Sequence, residues 1–336
     1  MKDKIKNFPP VNGINRRTFL WTLSGSILSP LLPACQKRPL NAETFITKAK
    51  NYETDLVSII LAGLRELRIE ANEIQGKKIL LKPNLVEPHQ GAGQINTHPL
   101  VVRGAIEAFF RLGAHQVIVG EGPGHVRDTH LVLEEAGYVE ILKEDRVPFI
   151  DFNLDQVYKT PNLGGRTDLK QIILPQTLRQ VDWIVSLAKM KTHHWAGATL
   201  SMKNLFGVLP GSFYGWPKNI LHQVGIEKAI FDITATLRPN LAIIDGIVGM
   251  EGDGPIMGTP KNVGVLVLGR NLPAVDATSA RIMGINPSKI AYLKMADGRL
   301  GPIRERDIQQ KGETIREVQT DFALIDKIPA HSGIRG

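Results

Sequence analysis

Residues 189–204 carry the densest set of reactive side chains in the sequence. The adjacent His193 and His194 could ligate a metal or act as acid and base, because imidazole titrates near neutral pH. Lys203 could contact phosphate or, with a lowered pKa, act as a nucleophile. The alternative, a basic surface loop leading into a helix, accounts for single lysines but not for the whole segment. We therefore predict that His193 and Lys203 are catalytic and that His194 and Asn204 bind substrate or cofactor.

Further polar side chains follow two short apolar segments. Lys82 and Asn84 come at the end of KKILLK, and Glu121 and His125 follow QVIVG in a Gly-Pro-Gly-His turn. This turn has two interpretations: a strand-to-helix turn closed by a helix cap, or a backbone nest for an anion with His125 aimed into the site. Ligands of open α/β sheets bind beyond the carboxyl ends of strands. We predict Lys82, Asn84 and Glu121 as binding residues and His125 as a third catalytic residue.

A glycine-rich acidic segment, residues 245–255, offers three carboxylates on flexible backbone. Asp245, Glu251 and Asp253 supply the oxygen ligands that a hard divalent cation prefers, although their spacing matches no EF-hand. The alternative is a solvated loop capped by aspartate. The sequence therefore predicts a divalent metal site on these three residues, with the solvated loop left open.

Helices and short apolar strands alternate along the chain and must position these groups. Helices are predicted over residues 55–74, 98–112, 128–136, 226–237, 274–283 and 287–296, and strands over 77–82, 116–120, 171–174, 183–187, 241–244 and 263–268. This alternation predicts an α/β fold with a mostly parallel sheet, helices on both faces and a ligand cleft at the strand ends.

The first 35 residues have the pattern of an export signal. Arg16 and Arg17 precede an uncharged, moderately apolar run that ends at Cys35. This order is typical of a secretory signal, and the arginine pair indicates the twin-arginine route. An uncut membrane anchor and a buried helix are the alternatives, and cleavage stays open. We predict a twin-arginine lipoprotein signal over 1–35 with lipidation at Cys35, a tether over 36–54 and an α/β domain over 55–336.

Composition narrows the classes of function. Without the signal the net charge falls from +8 to +4, because five of the basic residues and one acidic residue lie within it. No Lys/Arg run stands out and aromatic residues are sparse, so the sequence predicts no nucleic-acid binding. Cys35 is the sole cysteine. Disulfides, cysteine-ligated zinc and an iron–sulfur cluster held by this chain's own cysteines are therefore excluded within one chain.

Five ordered blocks resemble the family named domain of unknown function 362. They are Leu81-Lys82-Pro83-Asn84, Gly120-Glu121-Gly122, Lys191-Thr192-His193 with Thr199 and Lys203-Asn204-Leu205-Phe206-Gly207, Asp245-Gly246 with Met250-Glu251-Gly252-Asp253-Gly254-Pro255, and Ala274-Val275-Asp276 before a helix. The resemblance covers about residues 55–300. Many members of that family carry a ferredoxin-like iron–sulfur segment, whose cysteines this chain lacks. The family has no settled reaction.

A fainter resemblance is to the nickel-pincer lactate racemase family. His125 stands in a turn similar to that family's Gly-Thr-His-Arg turn, and His193 and Lys203 are similar to the ends of its Pro-His…Ala-Gly…Lys block. The chain departs from that block at Thr192, where the family has proline, and at Leu200-Ser201, where it has a glycine pair. The resemblance implies proton and hydride chemistry by the histidines and a lysine bonded to the cofactor.

These patterns predict an exported, membrane-anchored lipoprotein, periplasmic or on the outer face of the membrane. Its expected partners are the twin-arginine export machinery, the lipid membrane through Cys35 and a small anionic ligand. Two functions stay open. The first is a metal- or cofactor-dependent enzyme that uses His/Lys acid–base chemistry on a small anionic substrate, which export of a folded, cofactor-loaded protein favours. The second is a lipoprotein that binds a small anion without turnover.

Overall fold

The computed structural model describes residues 41–90, 93–125 and 128–336. The predicted export signal, its lipidation residue Cys35 and the first residues of the predicted tether lie outside these ranges. The strands are β1 Ala42–Lys48, β2 Lys78–Pro83, β3 Gln116–Glu121, β4 Phe149–Asp151, β5 Val157–Pro161, β6 Gln171–Pro175, β7 Trp183–His193, β8 Gly197–Thr199, β9 Leu241–Glu251, β10 Thr259–Gly269 and β11 Ile308–Gly312. The helices are α1 Leu56–Glu66, α2 Ala71–Ile74, α3 Pro99–Arg111, α4 Thr129–Glu135, α5 Tyr138–Glu144, α6 Ser201–Asn204, α7 Gly211–Tyr214, α8 Asn219–Gln223, α9 Ile226–Leu237, α10 Leu272–Ile282, α11 Ala291–Ala296 and α12 Ile315–Val318.

Nine of these strands form one mixed sheet. Its order is β11-β1-β10-β9-β7-β2-β3-β4, with β8 paired to β7. All neighbours from β9 to β4 are parallel, whereas β10 runs antiparallel to both β9 and β1. The remaining strands, β5 and β6, form an antiparallel pair of their own. The predicted α/β fold with a mostly parallel sheet is therefore confirmed.

Hydrophobic residues cover both faces of the sheet. In β2, Leu80 packs into one core cluster while Ile79 and Leu81 pack into the other, because successive side chains of a strand point to opposite faces. Helices α1 and α3 supply the second cluster, and α9 and α10 supply the first. Each fully buried leucine or isoleucine contributes about 1.5–3 kcal/mol, so the two covered faces fix the strand ends rigidly.

Part of the predicted tether over 36–54 is a strand of the main sheet. Strand β1 runs antiparallel to β10, with Phe45 opposite Leu268, and parallel to β11. Both partners are remote in sequence, so nothing near β1 in the chain signals the pairing. The α/β domain therefore begins before Asp55, which is instead the N-cap of α1 and accepts a hydrogen bond from Ser58 N at 3.0 Å.

Two segments predicted as functional loops are the ends of long strands. Strand β7 continues to His193, where β8 folds back on it, and β9 continues to Glu251 opposite Thr259 of β10. The antiparallel neighbours give the glycine-rich backbone its hydrogen-bond partners. The side chains predicted to do chemistry on β7 and β9 are therefore held by the sheet.

The helix predicted over residues 55–74 is two helices. Helix α1 ends at Glu66, and Arg68 adopts a φ of 57°, which no helix interior allows, before α2 begins at Ala71. Within the described ranges, no helix has both the length and the apolarity needed to cross a bilayer.

Candidate functional site

A cavity of about 320 Å³ lies at the carboxyl ends of β2, β3 and β7. Of the eight predicted catalytic and binding residues, seven line it: Asn84, Glu121, His125, His193, His194, Lys203 and Asn204. The eighth, Lys82, is fully buried directly behind the wall, in contact with Glu121 and Asn204. The parallel strands thus bring together side chains that are far apart in sequence.

The Lys82–Glu121 ion pair supports the cavity wall from behind. Lys82 Nζ lies 2.5 Å from Glu121 Oε2 and donates to Pro83 O at 2.9 Å and to Asn204 O and Oδ1 at 2.6 and 2.8 Å. Glu121 Oε1 accepts from Gly122 N at 2.9 Å. Burial lowers the pKa of Lys82, and Glu121 opposes this shift. Lys82 therefore positions Asn204 and Glu121 and does not itself face the cavity.

Gly207 lets the chain pass close over this ion pair. A Cβ at position 207 would overlap both Glu121 Oε1 and Lys82 Nζ. The backbone also closes here, because Gly122 N donates to Gly207 O at 2.8 Å. The glycine that ends the Lys-Asn-Leu-Phe-Gly block is thus required for close approach of backbone to a buried charge.

Two cavity lysines were not assigned to the site from the sequence. Lys191 donates to two carbonyl oxygens at 2.8 and 3.2 Å, and Lys218 donates to Gly122 O at 2.6 Å and to Phe206 O at 2.9 Å. Burial lowers the pKa of Lys191 well below its ordinary value and that of Lys218 to about 7. Both belong to the basic, glycine-rich stretch over 188–224, and this composition was the signal that could have identified them.

Asp276 holds the short helix that carries Lys203. Its carboxylate accepts from Ser201 N at 2.8 Å, from Ser201 Oγ at 2.5 Å and from Met202 N at 3.0 Å, and so satisfies the free N–H groups at the start of α6. Burial raises the pKa of Asp276 to about 7. The sequence block ending in Asp276 was expected to precede a helix, whereas the residue lies inside α10, one turn from its start.

Lys203 differs from the other lysines of the site. Within the described ranges its Nζ has neither a hydrogen-bond acceptor nor a carboxylate partner, and it lies 4.0 Å from the centroid of the Phe206 ring. Burial, with a further contribution from Lys82, lowers the pKa of Lys203 to about 7, while Glu121 opposes the shift. Near neutral pH this amine is therefore present in both protonation states.

His193 is fixed as a neutral ring. Its Nδ1 accepts hydrogen bonds from Trp195 N at 3.0 Å and from Ala196 N at 3.3 Å. Burial, followed by the charge of Lys203, holds the pKa of His193 well below its ordinary value. Because Nδ1 is an acceptor, Nε2 carries the proton, and His193 offers an N–H donor to the cavity.

Three further histidines line the same cavity. His125 pairs with Glu87, and its side chain is half exposed. His194 Nδ1 lies 3.8 Å from Asp253 Oδ1. His222, which the sequence reasoning missed, has its pKa lowered to about 4, chiefly by burial and secondly by Lys203.

The three carboxylates predicted to bind a metal are held apart, each beside a different basic side chain. Asp245 Oδ2 pairs with Lys189 Nζ at 2.9 Å, Glu251 Oε2 with Lys261 Nζ at 3.2 Å, and Asp253 lies next to a cavity histidine. In the part of the chain that the structure describes, no three His, Cys, Asp or Glu side chains are grouped to hold a metal ion. The structure therefore does not bring these three carboxylates together, because Asp245 and Glu251 lie at different positions of β9 and Asp253 follows its end; the predicted metal stays a prediction.

Among the described residues of the cavity wall, two polar atoms are buried without a hydrogen-bond partner. They are Asn84 Oδ1 and Thr199 Oγ1. Thr199 lies on β8 directly opposite Lys191 of β7, and both residues line the cavity. Leaving a buried polar atom unpaired costs about 1–3 kcal/mol, which a ligand that bonds to both atoms would recover.

An α/β domain with a cationic cavity at its strand ends is the class that this fold and site define. A family model described as domain of unknown function (DUF362) matches residues 79–281. The chain belongs to this family, which confirms the resemblance seen in its sequence blocks. The resemblance to the nickel-pincer lactate racemase family stays a prediction.

Two known proteins are similar to this chain over most of its length. A protein from Synechocystis sp. named thylakoid-associated protein is 29% identical over 272 residues, which cover 76% of this chain and 78% of that protein. The crystal structure of a protein from Thermotoga maritima aligns with 69% of this chain at 14% identity and a TM-score of 0.38. The aligned part spans 59% of that crystallised chain.

Proposed function

We propose that the cavity binds a small anionic substrate and that Lys203 and His193 act on it as acid–base groups. The observation that carries the proposal is that basic side chains outnumber acidic ones in the described cavity lining. Lys191, Lys203 and Lys218 line the cavity, and among its described lining residues Glu121 alone is acidic. That carboxylate is already paired with Lys82. The cavity therefore holds three lysine amines without a carboxylate of their own among the described lining residues, and an anion bound in this buried setting stabilises their ammonium forms.

The two reactive groups have different roles in this proposal. His193 offers a fixed Nε2–H to an anionic oxygen, since its Nδ1 is engaged by backbone N–H groups. Lys203, whose pKa is lowered to about 7, can give or take a proton near neutral pH. An anion bound beside Lys203 stabilises the ammonium form and raises its pKa. Binding is therefore coupled to proton uptake.

Calorimetry in two buffers with different ionisation enthalpies tests this coupling. Glycolate or acetate, both fully ionised and titrated slightly above neutral pH, should bind with a net proton uptake. Lys203→Arg should bind the anion with a smaller proton uptake, because a guanidinium stays protonated and only the other cavity lysines can still take up protons. Lys159→Gln, at an exposed position of β5, is the matched control and should behave as the wild type. Absence of anion binding, or binding with no proton exchange in the wild type, contradicts the proposal.

Binding without turnover is the second candidate, and one feature of the cavity favours it. Lys191 and Lys218 are held in place by backbone carbonyl oxygens, so the site is rigid before any ligand arrives. Such preorganisation favours affinity as much as catalysis. Substrate turnover by the natively exported protein separates the two functions, and elemental analysis of the same preparation tests the predicted divalent metal.

We further propose that the protein is exported and anchored to a membrane through Cys35. The arginine pair and terminal cysteine of the signal support this, as does the name of the thylakoid-associated relative. Replacing Arg16 and Arg17 by lysine should block export. Cys35→Ser should release an otherwise intact protein from the membrane fraction and abolish labelling by radioactive palmitate. A membrane-bound Cys35→Ser protein contradicts anchoring by the acyl chains.

A further inference from the structure

Among the described cavity lysines, Lys203 alone has an amine with neither a hydrogen-bond acceptor nor a carboxylate partner in the described part of the chain. Lys191 and Lys218 each donate to two carbonyl oxygens, and Lys82 is held by Glu121 and Asn204. Lys203 Nζ contacts the face of Phe206 instead. Helix α6, which carries Lys203, is fixed at its first residues by the buried carboxylate of Asp276. The Lys203 amine therefore lines the cavity without a carboxylate beside it. This placement leaves its nitrogen available to a ligand.

We propose that the substrate is a small carboxylate that also carries an aldehyde or ketone group, and that Lys203 captures this carbonyl carbon as an imine. The inference rests on the proposed anion site and names its substrate class. The neutral amine attacks the carbonyl carbon and forms a carbinolamine. Its two protons then leave with the carbonyl oxygen as one water molecule, and a C=N bond replaces the C=O bond. No oxidant or reductant is needed.

Other cavity residues can bind the carboxylate end and the carbonyl end of such a substrate. Its carboxylate can accept from the hydroxyl of Thr199 and from Lys191, which are paired across β7 and β8, and a bound carboxylate favours the ammonium form of Lys191. The carbonyl end then lies toward Lys203, whose lowered pKa leaves part of the amine unprotonated near neutral pH. An unprotonated amine is the form that attacks carbonyl carbon. The Nε2–H of His193 is available to the oxygen on which negative charge develops.

Trapping with glyoxylate and cyanoborohydride tests the inference. Cyanoborohydride reduces an imine to a stable amine, so the full chain treated with glyoxylate should gain the mass of one reduced adduct. Peptide mapping should place that adduct on Lys203. Glycolate, which has the same carboxylate but no carbonyl group, should compete with trapping and form no adduct. Lys203→Arg should lose the adduct, whereas the exposed control Lys159→Gln should keep it.

The possible results separate this inference from the proposed function. Glycolate binding with proton uptake but no glyoxylate adduct on Lys203 overturns carbonyl capture and leaves the anion site intact. An adduct that persists in Lys203→Arg, or one spread over exposed lysines, also overturns it. Absence of both glycolate binding and adduct overturns both proposals. Because Lys203→Arg retains the positive charge, its binding of glycolate shows that the variant is folded.

Discussion

Replacing Lys82 by methionine tests whether the buried ion pair supports the cavity. The substitution removes the 2.5 Å pairing with Glu121 and three hydrogen bonds to carbonyl oxygens, while Glu121 stays buried at 1% side-chain exposure. Removing one partner of a buried pair costs about 3–5 kcal/mol. Glu121→Gln should cost less, because Lys82 keeps its three carbonyl acceptors. We expect this order from urea unfolding followed by tryptophan fluorescence.

The double variant and a second ion pair complete this experiment. Lys82→Met with Glu121→Gln should be more stable than Lys82→Met alone, because no unpaired charge is left behind, with a coupling energy of roughly 1–3 kcal/mol. Lys189→Met breaks the equally buried pair with Asp245, which lies outside the cavity lining. It should destabilise the protein similarly yet keep anion binding. A loss below about 1 kcal/mol for Lys82→Met, or a double variant that is no more stable, refutes the reasoning.

Three further substitutions test the cavity at other points. Gly207→Ala should destabilise by about 1–3 kcal/mol in urea unfolding, because its Cβ overlaps Glu121, and a neutral effect contradicts the required close approach. Asp276→Asn places an amide donor or a weaker acceptor against N–H groups, so it should cost about 1–3 kcal/mol and weaken anion binding measured by calorimetry. Because the pKa of Lys203 falls from 10.5 to about 7 on folding, the unfolded chain binds more protons between these values. The unfolding free energy should rise with pH in this window, and Lys203→Met should reduce that rise; an unchanged slope contradicts the lowered pKa.

The position of the site was predictable because it depends on local sequence. Lys82, Glu121 and His193 each follow a run of apolar residues that reads as a strand, and parallel strands bring their carboxyl ends to one edge. No long-range information is needed for this step. The same rule does not separate residues that face the cavity from those behind it, which is why Lys82 was expected to bind ligand and is instead fully buried.

The features of the fold and site that the sequence did not predict depend on contacts between distant segments of the chain. Strand β1 is recognisable only when β10 and β11 are placed beside it, and β9 extends to Glu251 only because β10 returns along it. Lys218 and His222 lie on short helices and turns without a hydrophobic period. Their position in the cavity lining follows from the packing of the chain after α6, which no spacing in the sequence encodes.

Electrostatic interactions couple Lys203 to the three lysines whose amines are held by hydrogen bonds or an ion pair. Backbone carbonyl oxygens and one ion pair hold the amines of Lys82, Lys191 and Lys218 in fixed positions at or behind the wall of the same cavity. Burial disfavours the ammonium form of Lys203, and the nearby charge of Lys82 acts in the same direction. A bound carboxylate would relieve this repulsion and would stabilise the folded protein through mass action. The burial and the lysine charge that lower the pKa of Lys203 therefore also favour an anion beside it. Substrate binding and the reactivity of the Lys203 amine thus depend on the same group of lysines.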